Sequence, residues 1–212
     1  MNIKMTAKDY MEYIELVTKK IEQNKDYITE LDSITGDGDH WANMNMGFQK
    51  LVENKEELAA MELKDMFKKI GMLIMSTVGG SSGVLYGSAY IGASKIIGDK
   101  EYLDIKLLCD VLEEELSAIM KRGNAEPGFK TMIDSLAPAV NRFKAALKSN
   151  GDESTALQEL KQGAIDGMNS TKDMEAVRGR AFYQANKGVG HLDPGAVTMC
   201  YQLEILVDYL CN

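Results

Sequence analysis

The sequence predicts an all-α protein built as a single domain over residues 1–212, and three observations predict it. Apolar residues recur at steps of three and four: Tyr10, Ile14, Val17 and Ile21; Leu108, Val111 or Leu112, Leu116 and Ile119; Leu157, Leu160, Ala164 and Met168. Sustained period-two alternation, the mark of a half-buried strand, is hard to find. Only 3 prolines interrupt 212 residues, which leaves room for long helices.

Taken in order, the spacing predicts about eight helices, over roughly 6–30, 41–54, 62–77, 82–98, 104–121, 128–148, 153–171 and 195–210. Gly and Asp gather at the joints, in GDGDH at 36–40, VGGSSG at 78–83, KRGNAEPG at 121–128 and KGVGHLDPG at 187–195. Gly87 and Gly92 fall inside the helix over 82–98, where small residues let helices approach closely. The last helix is apolar almost all round, which predicts a central, buried position. The stretch 172–194 lacks a clear helical pattern, and long loops in compact domains are often functional. There is no internal repeat, low-complexity tract or linker to divide the chain.

The bulk properties exclude several classes. The chain is 45% hydrophobic and 26% charged, ordinary for a soluble globular protein and enough for a core without disulfides. With 24 basic and 32 acidic residues the net charge is -8, which argues against nucleic acid or an anionic membrane as partner. An acidic protein that binds an anion must create positive potential locally, through a metal, backbone N–H groups or a few cations. Cys109, Cys200 and Cys211 are scattered with no CxxC spacing, as expected of reduced, partly buried thiols in a cytoplasmic protein. MNIKMTAKDY has no apolar h-region, and Val197 to Leu210 is too short and polar to span a bilayer, so neither signal peptide nor membrane anchor is expected.

Three constellations carry chemistry. The first is Asp32-Ser-Ile-Thr-Gly-Asp37-Gly-Asp39-His40. Three carboxylates on a tight glycine turn suit a hard cation such as Mg²⁺, with positions left for phosphate oxygens. Gly36 and Gly38 permit the positive φ such a turn demands. The plain alternative is a solvated Asp-rich turn that caps the next helix. An EF-hand calcium loop does not fit, because its twelfth place, counted from Asp32, holds Asn43 rather than Glu. His40, Asn43 and Asn45 follow at a helix start, where free N–H groups attract anions. A histidine there is more often a packing residue; beside the Asp pair, contact with phosphate is the competing reading.

The second constellation, Ser76-Thr-Val-Gly79-Gly80-Ser81-Ser82-Gly83, joins two helices with no strand before it, so neither a P-loop nor a dinucleotide fingerprint fits. Its backbone and hydroxyls can still face phosphate; alone, it reads equally as a Gly-capped, Ser-capped helix turn. The third combines Arg178-Gly-Arg180 with Gly188-Val-Gly190-His191-Leu-Asp193-Pro194-Gly195. Arg180 can offset phosphate charge. Asp193-Pro194 reads as an N-cap followed by the first helical residue.

Together these stretches resemble the L, or nucleotide-binding, subunit of dihydroxyacetone kinases. The resemblance rests on GDGDHWANMNMGF at 36–48, STVGGSSGVLYGS at 76–88, KRGNAEPGFKTMID at 121–134 and GRAFYQANKGVGHLDPGA at 179–196, in the family's order and spacing over nearly the whole chain. It implies an antiparallel eight-helix barrel that holds ADP or ATP in the loops at one end. It implies Asp32, Asp37 and Asp39 as ligands of one or two Mg²⁺ ions. His40, Trp41, Ala42 and Asn43 would meet the phosphates with Ser81 and Ser82, while Gly123 and Met132 line the adenine side. Arg180, Asp193, Pro194 and Gly195 would close over the nucleotide. Trp41 stands where the family usually has glycine, Phe129 where it has an acidic residue, and Phe182 to Gly190 where it has SYLGERSIG, with Lys187 at the usual arginine.

What the resemblance implies of function is phosphoryl transfer to dihydroxyacetone or a related small ketose held on a separate K subunit. No general base is assigned within this chain, because the partner activates the hydroxyl. The separate subunit resembles the bacterial phosphotransferase-system form, in which ADP stays bound and is rephosphorylated by a phosphohistidine donor, the M subunit. The alternatives are an ATP-dependent subunit with exchanging nucleotide and a regulator that binds a transcription factor. A fatty-acid-kinase-like domain shares the DGD loop but follows it with threonine where this chain has His40.

Overall fold

The computed structural model describes residues 3–149 and 152–212. Among these it forms ten α-helices: α1 (Ala7–Gln23), α2 (Lys25–Thr35), α3 (His40–Glu53), α4 (Lys55–Ala59), α5 (Leu63–Thr77), α6 (Gly80–Ile97), α7 (Ile105–Gly123), α8 (Ile133–Lys148), α9 (Glu153–Ser170) and α10 (Pro194–Cys211). Two short 3-10 helices, Thr171–Asp173 and Arg180–Tyr183, interrupt the loop between α9 and α10. No strand occurs among the described residues; one isolated antiparallel bridge pairs Met5 with Leu103. The class is all-α, as the spacing predicts.

The count rises from eight to ten because one predicted helix is cut at Asn24 and a short helix, α4, fills the predicted gap after Asn54. The helix predicted over 6–30 breaks at Asn24, whose side-chain amide donates to Lys20 O at 2.8 Å and competes with the backbone for that carbonyl. Helix α2 then starts afresh, with Ile28 N–H donating to Asn24 O at 3.0 Å. Asn54 repeats the device: its amide donates to Lys50 O at 2.7 Å, and Leu58 N–H donates to Asn54 O at 3.0 Å, separating α3 from α4. The helix predicted from 128 begins only at Ile133. Asp134 holds the residues before it in a turn by accepting from Gly128 N–H at 2.5 Å and Thr131 N–H at 2.7 Å, and in that turn Gly128 and Lys130 have φ of 93° and 60°. The helix predicted over 82–98 starts two residues early, at Gly80.

The chain divides into two compact units. The first holds the chain up to Lys19 with Asn43–Asn124; the second holds Lys20–Ala42 with Ala125–Asn212. In the first, α5 packs on α6 and α6 on α7. Gly71 of α5 and Gly87 of α6 meet backbone to backbone: a Cβ on either would stand 2.8 Å from the other's carbonyl oxygen. Gly92 faces Glu114 and Ala118 of α7. Gly87 and Gly92 thus serve the close approach expected of them. Tyr10, Tyr13, Phe67 and Tyr90 cluster in the core, with the Tyr10 and Phe67 ring centroids 4.6 Å apart and the Tyr10 hydroxyl donating to that of Tyr90 at 3.1 Å.

In the second unit α8 packs along α9, and α10 packs on α9, α8 and α2. Helix α10 is buried along most of its length, from Pro194 to Val207, as its apolar composition predicts. Pro138 has no N–H to return to the carbonyl of Asp134 four residues back. That carbonyl faces Gly167 of α9 instead, so closely that a Cβ there has no room. Ser135 Oγ ties the same helices by donating to Ala164 O at 3.0 Å. Cys109 and Cys200 are buried and Cys211 half-buried, and none of the three is in a disulfide; burial pushes the Cys200 thiol up to about 12. No helix among the described residues is long and apolar enough to cross a membrane.

Gly167→Ala is expected to lower stability by about 1–3 kcal/mol, because the added methyl meets backbone rather than a movable side chain. The urea midpoint measures it, and a midpoint equal to wild type would show that α8 and α9 can part at no cost.

Candidate functional site

The site grows from the joint between α2 and α3. Asp32 lies in the last turn of α2 and is 7% exposed. Its Oδ2 accepts the His40 N–H at 2.9 Å, so one carboxylate oxygen links the end of α2 to the first residue of α3. Gly36 closes the turn with its N–H on Asp32 O at 2.5 Å. It does so at φ −148°, not at a positive value; glycine is needed there for space, since a Cβ would strike Asp32 Oδ1. Gly38 does take the positive φ the sequence predicts, 79°. The result is that carboxylate oxygens of Asp32, Asp37 and Asp39 lie within 4.8 Å of one another, Asp32 buried and the other two exposed.

Three like charges so close repel, and a divalent cation relieves that repulsion. The donors are all carboxylate oxygens, the set that suits magnesium or calcium rather than zinc. A cation is paired into the cluster: Arg180, from the second 3-10 helix, whose Nη2 stands 2.5 Å from Asp37 Oδ2. Beside the carboxylates, His40, Trp41, Ala42 and Asn43 form the first turn of α3, whose N–H groups lack intrahelical acceptors.

The His40 ring is held by α10. Its Nε2 lies 2.9 Å from Thr198 Oγ1, and that hydroxyl donates onward to Gly195 O at 3.2 Å, so Nε2 is the donor to Thr198. Burial lowers the His40 pKa against the pull of Asp32 and Asp39, leaving the ring neutral at pH 7. Thr198 was not legible as a site residue, because nothing in its local sequence marks a hydroxyl on an apolar helix as a histidine's partner. The Trp41 indole is engaged elsewhere: its N–H donates to Ile21 O at 3.1 Å, and the Lys25 ammonium stands 4.7 Å over the ring.

Asp193 caps α10 as the sequence predicts, accepting Ala196 N–H at 2.7 Å with Pro194 in the first turn. Gly195 lies against Met132, which is buried just before α8; a Cβ on Gly195 would be 3.6 Å from Met132 N. In the other unit, Ser81 and Ser82 occupy the first turn of α6, with Gly79 as N-cap and no side-chain capping bond. Asn43 adjoins that turn: its Oδ1 lies 2.8 Å from where a Cβ on Gly79 would stand. Gly123 ends α7, and left-handed Asn124 follows as its C-cap.

A family model described as the DAK2 domain matches residues 34–208. The chain is 39% identical over 178 residues to the ADP-binding subunit DhaL of PEP-dependent dihydroxyacetone kinase 1 from Listeria innocua, covering 84% of each. It is 35% identical over 181 residues to the DhaL subunit of the PEP-dependent kinase of Escherichia coli, covering 85% of this chain and 86% of that one. To the DhaL subunit of the PTS-dependent kinase of Lactococcus lactis it is 34% identical over 204 residues, covering 96% and 98%. In fold it is similar to the dihydroxyacetone kinase of C. freundii solved with AMP-PNP and Mg²⁺, with a TM-score of 0.73 at 24% identity, over 93% of this chain and 33% of that longer one.

Burial raises the Asp193 carboxyl to about 7, against the Ala196 N–H and Lys130, which lower it. The folded protein therefore holds this proton more tightly than the unfolded chain does at its ordinary 3.8. The stabilisation is complete below about pH 4 and is lost as pH rises through about 7. Between about pH 4 and 7, ligand-free protein should lose denaturant stability relative to Asp193→Asn, which keeps a capping oxygen but cannot ionise. A stability difference that stays constant with pH contradicts this.

Proposed function

This chain belongs to the DAK2-domain family, and from that membership we propose that it is the nucleotide-carrying subunit of a dihydroxyacetone-kinase-type phosphotransferase. The observation that carries the reading is the trio of carboxylates gathered at the start of α3.

Asp32, Asp37 and Asp39 would hold magnesium, whose charge offsets that of the nucleotide phosphates. The first turn of α3, from His40 to Asn43, faces the phosphates and offers N–H groups beyond that of His40, which Asp32 already holds. Neutral His40, locked by Thr198, adds no positive charge and serves to fix the start of α3 against α10. Arg180 adds its charge beside Asp37. Ser81 and Ser82 supply hydroxyls from the first turn of α6, while Gly123 and Met132 take the adenine side and Asp193 to Gly195 close the site. Phosphoryl transfer depends mostly on positioning and charge neutralisation. No residue of this chain is assigned as general base, so the ketose and the group that activates it belong to a K-type partner.

Curated relatives at 34–39% identity are named as ADP-binding subunits of PEP- or PTS-dependent kinases. That favours ADP as a resident coenzyme, rephosphorylated by a phosphohistidine protein, over nucleotide that exchanges at each turnover. Purified protein is then expected to retain ADP; loss of ADP on washing, at micromolar affinity or weaker, rules the coenzyme reading out.

Asp37→Ala is expected to abolish magnesium-dependent ADP binding in calorimetry while leaving the helical circular dichroism unchanged. Retention of ADP by this variant would remove Asp37 from the ligand set. Reconstitution with K-type partners and a phosphohistidine donor, scoring phosphate on dihydroxyacetone, tests the activity itself.

A further inference from the structure

The strap between α9 and α10, residues 171–193, carries Arg180 yet has only two 3-10 turns of regular structure. Its ends are tied at one junction. Asp193 N–H donates to Thr171 Oγ1 at 3.0 Å, and Gly190 N–H donates to Lys172 O at 2.8 Å. Lys130 lies at this junction, 1% exposed and at φ 60°. Its ammonium donates to Thr171 O and His191 O, each at 2.5 Å. Its Cε lies 3.0 Å from where a Cβ on Gly188 would stand, and the neighbouring Phe129 O accepts Val177 N–H at 3.2 Å. A lysine is almost never this buried unless paired. Here Asp193, Asp134 and Asp173 hold up its pKa, against the burial that lowers it.

We propose that Lys130 is a positioning residue that fastens the 171–193 strap, so that Arg180 and the start of α10 stay in place and bound nucleotide leaves slowly. The proposal rests on the magnesium–nucleotide reading above. Lys130 acts through two backbone carbonyls, one at each end of the strap. Without the ammonium both lose their buried donor, and the strap opens more often. Release then quickens, whereas capture, which needs an open strap, changes little.

Lys130→Met keeps most of the aliphatic stem and removes the charge. On the full chain without nucleotide, trypsin cleavage after Arg178 and Arg180, located by mass spectrometry, is expected to rise at least about tenfold while circular dichroism is retained. Stopped-flow dissociation of a fluorescent ADP analogue with magnesium is expected to rise at least about tenfold, with association held within about twofold. Should the Met variant not fold, Lys130→Gln, one atom shorter and still a donor, is read the same way, with an expected rise of about threefold. Release unchanged from wild type overturns the proposal, whatever cleavage does. So does faster release matched by an equal loss in association, the mark of general loosening. If wild type binds no magnesium–ADP at all, the nucleotide reading fails, and faster cleavage in the variant still supports the fastening of the strap.

Discussion

Holding three carboxylates together against their mutual repulsion is the constraint around which the second unit is arranged. Asp32 is the fixed member, buried at the end of α2 and bonded to the first N–H of α3. Asp37 and Asp39 are exposed and are brought within 4.8 Å by the turn between the helices. That turn closes only because Gly36 leaves room for the Asp32 side chain and Gly38 takes φ of 79°. A larger residue at 36 would push Asp32 away and separate the two helix ends it joins.

The chain carries a net charge of -8 and still presents features suited to an anion. The positive potential is local: the N-terminus of α3, the Arg180 guanidinium and any cation the carboxylates hold. Histidine adds none of it, because burial lowers the His40 pKa against the pull of Asp32 and Asp39. Lys130 stands in the same unit, with its charge consumed by carbonyls and nearby carboxylates.

The departures from the family pattern have physical settings. The Trp41 indole bonds to Ile21 O and takes the Lys25 ammonium on its face, so α3 can still offer its first N–H groups. Phe129 contributes its carbonyl, which a change of side chain leaves in place. Lys187, at φ 48°, pairs with Glu175 at 2.9 Å within the strap, a bond that any flexible cation could make. These settings tie the departures to local packing and to the strap, while the three aspartates keep their places.

The sequence by itself determined the helical class, the cap at Asp193, the buried course of α10 and the acidic trio, because each is written in local spacing or in a run of a few residues. It did not reveal the break at Asn24 or the short helix after Asn54, since an asparagine that takes a helix carbonyl looks the same in sequence as one that points to water. Nor did it reveal that Lys130 is buried or that Thr198 holds His40. Those two depend on partners 41 to 158 residues away, as Thr171 is from Lys130 and Thr198 from His40. Only the folded arrangement of α8, α9 and α10 decides whether a lysine near a glycine turn meets solvent or two waiting carbonyls.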